Sequence, residues 1–265
     1  MTADRWTRMV RQQVGMGRLL PLGGPYDGAW IAERAASGVL RGAAEREVPE
    51  VRLNGVRIGL ADPDAAAEPA VPAPPSALPP GPLRLTAEFA ATAAWPLPET
   101  AARLRTSLAV TATERLGLDL TEVDLRITEL LDERPTTASP GAAKPSGAVP
   151  TPTPTGTGTP GTPETATDAT AADDAGGDGS EDERVGTVVS GVAGVARLTG
   201  SWGRPVRIGE QAPGAGAALA RRHVRVDLAV AAGFRPLEVA HAVRAAVAEA
   251  LADRPTVAVL VTDLD

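Results

Sequence analysis

The chain has 265 residues, a formal net charge of −7, a pI near 5.0 and no cysteine. The missing cysteine excludes disulfides, thiolate metal sites and cysteine nucleophiles, and fits a reducing compartment. The acidic balance argues against a nucleic-acid partner, because neutralising phosphates needs a basic surface.

Aromatic residues make up only 3% of the chain, so its cores must be built from Val, Leu, Ile and Ala. Lys144 is the sole lysine. With abundant Ala, Gly and Pro, this points to coding from a GC-rich genome, and no single Arg is evidence of phosphate recognition.

Residues 1–28 carry Arg5, Arg8, Arg11 and Arg18 against Asp4 and Asp27. Trp6, Met9, Val10 and Val14 share one face of a short helix, and a run of Gly and Pro then breaks it. We read a flexible basic N-terminal segment. Its candidate contact residues are Arg5, Trp6, Arg8, Met9 and Arg11, for weak peripheral contact with an anionic membrane or for a partner protein.

Residues 29–46 place Trp30, Ile31, Ala35, Val39 and Leu40 at helical spacing. Gly38 and Gly42 weaken that helix by about 1 kcal/mol each relative to Ala. Residues 51–60 alternate as a strand, with Asn54-Gly55 read as a tight turn that splits it into a hairpin. Residues 61–82 are a Pro/Ala-rich loop, and 83–91 a half-buried strand. Pro98 and Glu99 open a helix, Gly117 ends it, and 120–131 supply the closing strand.

Residues 134–183 hold almost no large apolar side chain and end in an acidic run. Burial there cannot offset ordering entropy, so a disordered Pro/Thr/Gly linker is expected. Beyond it, 185–195 is Gly-rich and predicts a short helix at most. Residues 224–230 read as a strand, Pro236-Leu237-Glu238 as a helix start, and 256–264 as a strand apolar enough to be central.

The two halves repeat. Leu85, Ala87, Phe89, Ala91, Trp95, Glu99, Leu104 and Leu108 match Val224, Val226, Leu228, Val230, Phe234, Glu238, Val243 and Val247 at one spacing of 139 residues. Val56-Arg57-Ile58-Gly59 is mirrored by Val206-Arg207-Ile208-Gly209. Ile127-Thr128-Glu129-Leu130 is mirrored by Val261-Thr262-Asp263-Leu264. These are positions a fold needs, and no reactive group is seen repeating with them.

The expected architecture is therefore α+β. Two small domains of duplicated topology each have a leading helix, a mixed sheet of about three strands, and a main helix between the last two strands, which run parallel. The boundaries are 1–28 for the N-terminal segment, 29–133 for a degenerate first copy, 134–183 for the linker and 184–265 for the second copy.

Chemistry is harder to find. Gly214-Ala215-Gly216 resembles part of a dinucleotide fingerprint, but no helix fits before the strand at Val224. His223 and His241 have Arg84 and Ala102 at the matching positions, so both read as surface or rim residues. No metal-ligand spacing appears, and Glu45, Glu47, Asp263 and Asp265 read as solvated charges. No catalytic, metal or cofactor residue is assigned.

The ordered set of elements resembles the alkaline-shock-protein (Gls-type) family of envelope stress-response proteins in Gram-positive bacteria. It comprises Val48-Pro49-Glu50-Val51 and Val192-Ala193-Gly194-Val195, an alternating strand, an aromatic turn, a Pro-Leu-Glu helix start and a Val-rich closing strand. The second copy is the closer match. The resemblance implies small α+β units without catalysis, some held at the membrane by a small partner protein.

The expected function is a non-enzymatic interaction or scaffold protein that binds a protein partner or itself. It would be cytoplasmic, or peripheral to the inner face of the membrane. The rival is a small-molecule or enzyme domain with its site in loops 61–82 or 210–222.

Overall fold

The computed structural model describes residues 17–132, 178–200, 203–211 and 221–265. It is an α+β protein whose two copies share one topology. The first copy runs α1 (Glu33–Glu47), β3 (Val51–Leu60), β4 (Leu83–Thr92), α2 (Leu97–Val110) and β5 (Leu120–Leu131). The second runs α3 (Asp178–Ser190), β6 (Val195–Leu198), β7 (Val206–Gln211), β8 (Arg221–Val230), α4 (Pro236–Ala250) and β9 (Thr256–Leu264). In each copy the helix-linked strands are parallel, β4 with β5 and β8 with β9.

Ladder registers show how far the duplication goes. Val56 lies opposite Ala87 and Ile58 opposite Leu85, as Val206 lies opposite Val226 and Ile208 opposite Val224. Phe89 pairs with Ile127 as Leu228 pairs with Val261, and each ladder then slips by one residue. The extra residue is Thr128 in one copy and Thr262 in the other. Each hydroxyl donates to the facing carbonyl, of Phe89 at 3.3 Å and of Leu228 at 3.2 Å. A bulge leaves one residue without a ladder partner. A threonine there also gives its hydroxyl a use.

Two further strands, β1 (Leu19–Leu22) and β2 (Ala29–Ala32), precede α1, and both are wholly buried. They join the second copy's sheet in the order β1-β2-β9-β8-β6, with β7 also pairing β8. The other sheet is β3-β4-β5. Strand β2 runs parallel to β9, with Ala29 opposite Val259 and Ile31 opposite Val261. The helix expected over 29–46 therefore begins only at Glu33. Ala-Trp-Ile-Ala fits helix and strand periods alike, and pairing with β9 satisfies its backbone.

Three other expectations change. The N-terminal segment 1–28 is anchored from Leu19 onward, because four consecutive apolar or Pro residues find a sheet to bury them. Asn54-Gly55 makes a bulge in one continuous strand, not a hairpin turn, since β4 pairs on both sides of it. The acidic end of the predicted linker is helical from Asp178, where carboxylates favour a helix N-terminus. Glu181 there binds Arg222 at 2.5 Å. Residues 133–177, most of the predicted linker, lie outside the described residues.

The copies pack on each other. Leu40, Phe89 and Leu104 of the first and Val226, Val243 and Val259 of the second belong to one buried cluster. Gly117, the C-cap after a π-helical turn (Thr111–Leu116), has φ 87°. A Cβ on it would come within 2.7 Å of Leu237 at the start of α4. Its carbonyl accepts from the Gly23 amide at 3.0 Å. Arg235 donates to the Thr113 carbonyl at 2.9 Å, and His241 Nε2 meets Asp27 Oδ1 at 2.8 Å.

Candidate functional site

The junction between the copies leaves a groove of about 730 Å³. One wall is the outer face of α1, where Arg34, Gly38, Gly42 and Arg46 line the cavity. Their four-residue spacing puts them in one row along the helix. Both glycines cost helix stability, about 1 kcal/mol each relative to Ala. A Cβ on Gly38 would meet nothing within 4 Å, so packing does not demand a glycine there. The result is a helix face that is bare at Gly38 and cationic at both ends, with the Arg46 guanidinium reaching back over Gly42.

The opposite wall is the β8–α4 turn, Ala231 to Pro236, with the end of β9 from Thr262 to Asp265. The turn needs Gly233 at φ 85°. Phe234 is 49% exposed, and its inner edge lies where a Cβ on Gly194 would approach within 2.7 Å. Glu114, Arg115 and Leu116 close the groove. Arg34, Arg46 and Arg115 form no ion pair among the described residues, whereas Arg197 holds Asp263 at 2.7 Å and also binds Asp265.

The Arg197–Asp263 pair belongs to a polar cluster that appears in both copies. Arg52 meets Glu129 at 3.1 Å where Arg197 meets Asp263. Asn54 donates to Thr128 at 3.1 Å where Thr199 and Thr262 share a bond at 2.7 Å. No constant spacing in the sequence shows this whole cluster repeating. The Thr-acid half was visible in Ile127-Thr128-Glu129 and Val261-Thr262-Asp263. The strand carrying the other half is continuous in β3 but interrupted between β6 and β7, so no constant spacing reveals Arg52 and Arg197 as counterparts.

Shifted titratable groups sit in the framework and do not line the groove. His223 is held below the usual histidine range by burial and by the nearby Arg225, and its Nδ1 meets Thr256 Oγ1 at 2.9 Å. Arg225 is lowered by burial, which its pairing with the fully buried Asp227 at 3.2 Å opposes. Arg244 is lowered by burial, against the opposing charge of Asp27, and its guanidinium donates to the Tyr26 carbonyl at 2.9 Å. The Arg225–Asp227 pair was not anticipated. Its only signal is the charge at every second position of a strand whose other face is Val224, Val226 and Leu228.

Arg5, Trp6, Arg8, Met9 and Arg11 lie outside the described residues. Loop 61–82 packs as structure: Val71 is 3% exposed beneath Gly28, and the Leu78 amide donates to Leu19. Of loop 210–222 only the ends are described. No group of three His, Asp or Glu suited to a metal ion occurs among the described residues. None of their helices is long and apolar enough to cross a membrane. The groove offers shape, a half-exposed aromatic ring and unpaired guanidinium groups, which is equipment for binding. No protein-family model, curated protein or solved structure matches this chain.

Proposed function

We propose that this chain is a non-enzymatic interaction or scaffold protein of the envelope stress-response type. It works in the cytoplasm or at the inner face of the membrane and engages protein partners, not nucleic acid. The observation that carries this reading is a pair of aromatic residues at one turn of the repeat. Trp95 and Phe234 both stand at the strand-to-helix turn, 56% and 49% exposed, in a chain with very few aromatics. The first-copy core is complete without Trp95. Exposed aromatic anchors are what protein recognition uses.

The test is affinity capture from native-host lysate with the parent chain and with Trp95→Ala and Phe234→Ala, each checked for an unchanged melting curve. The expected result is a defined set of proteins lost with one or both variants. Capture indifferent to both would sink the reading.

The junction groove favours one rival, a small anionic ligand. It predicts a saturable thermal shift with metabolites that is abolished by Arg115→Glu or by Gly38→Leu, which fills the groove. On the preferred reading no such shift appears.

A further inference from the structure

Strand β5 has one partner among the described residues, β4, so its other edge is open. The counterpart edge of β9 is closed by β2, on Val259, Leu260 and Val261. Ala87 pairs with Leu125 as Val226 pairs with Val259. The first-copy positions matching the covered stretch are therefore Leu125, Arg126 and Ile127. This fold accepts a strand at that place, and among the described residues it supplies one only to the second copy.

The open edge is self-complementary. Between bulges at its two ends, β5 has a regular run from Glu122 to Ile127. Val123, Leu125 and Ile127 face the helix side, and Glu122, Asp124 and Arg126 the other. Two copies related by a twofold axis through the sheet must pair residues of the same face. Centring on Asp124 sets two Asp124 carboxylates together, although it also puts Glu122 opposite Arg126 twice, and centring on Arg126 sets two guanidinium groups together. Centring on Leu125 puts Asp124 opposite Arg126 twice and Val123 opposite Ile127 twice. Of these three registers, only the one centred on Leu125 sets no like charges opposite each other. It would also cover Ile127, which is 38% exposed.

We propose that the occupant of this edge is β5 of a second copy of the chain, antiparallel and centred on Leu125. The pairing joins two three-stranded sheets into a continuous six-stranded one. It stands apart from the functional reading above, which holds whether or not the chain pairs with itself. One contact competes with it: the Arg105 guanidinium donates to the Val123 carbonyl at 3.2 Å and must swing aside. Among the described residues, Asp124 and Arg126 make only long ion-pair contacts, 3.6 Å to Arg84 and 3.9 Å to Glu88. Both stay free to engage across the twofold axis.

The test is sedimentation velocity of the full chain over a wide concentration range, with melting curves to confirm folding. The expected result is a reversible dimer. Asp124→Arg and Arg126→Asp should each weaken it by about tenfold or more, because each change counts twice across the axis. The double variant D124R/R126D should restore affinity to within about threefold of the parent, since the swapped charges complement again. A chain that stays monomeric throughout would overturn the proposal. So would a dimer indifferent to the single changes, or one that the double change does not rescue.

Discussion

β5 and β9 hold the same place in the two copies and meet opposite surroundings. β9 lies between β2 and β8, with Val257 to Val261 all buried. β5 closes an edge, and Ile127 and Leu130 stand 38% and 58% exposed. The sequences agree with this: Val-Ala-Val-Leu-Val at the centre of β9 against Val-Asp-Leu-Arg-Ile in β5. Topology is thus shared, while neighbours decide how much of a strand must be apolar. Apolar residues on both faces suit a covered strand, and charges on one face suit a solvated edge.

The strongest break of this comparison is Val243→Asp, which buries a carboxylate at a fully buried position of α4. The cost is at least ~3 kcal/mol. From sequence alone the loss would be confined to the second copy. The shared sheet extends it to β1, β2 and the helix they lead into. A single transition, lowered or lost, is expected in circular dichroism melting. A second transition at the parent midpoint would show that the copies are independent.

Next in size is a pair of tryptophans. Trp30 is 1% exposed in β2, and Trp30→Ala should cost ~3–5 kcal/mol. In a folded unit of this size that lowers Tm by ~10 °C. Trp95→Ala, on the open side, should change stability by less than ~0.5 kcal/mol. Equal effects in denaturant titration would remove the contrast between covered and open copies.

Gly117→Ala probes the seam. It places a Cβ at positive φ and against Leu237, so a loss of ~1–3 kcal/mol is expected from thermal melting. Stability equal to the parent would mean that the two copies do not meet there.

The smallest effect concerns pH. His223 has a lowered pKa when folded, so the unfolded chain binds its proton more readily. The stability linked to this histidine is complete above its unfolded pKa, about 6.5, and is lost as pH falls through the folded value. His223→Gln should therefore flatten the decline of Tm below about pH 6.5. A decline identical to the parent's would show that His223 is solvated in the native state.

Much of the fold was legible. The alternation at 83–91, Pro236 opening α4, Gly117 ending the first-copy helix and the span of β5 all rest on local chemistry, and each stands where periodicity placed it. The site was less so. Arg34, Gly38, Gly42 and Arg46 form a visible helical row, but nothing in the chain says that Phe234 and Arg115 face it. Arg52 and Arg197 became counterparts only through strand register. Residues 29–32 were misassigned because four apolar residues fit a helix or a strand equally well.

By itself the sequence determined the duplicated strand–helix–strand unit, its helix ends and its mostly aliphatic core, because periodicity and capping act over a few residues. Only the tertiary structure decided that β2 seats on β9 and that Gly117 receives Leu237. The same holds for the groove that opens at the junction and for the edge of β5 that no described strand covers. Those outcomes depend on which surfaces, far apart in the chain, find each other to bury.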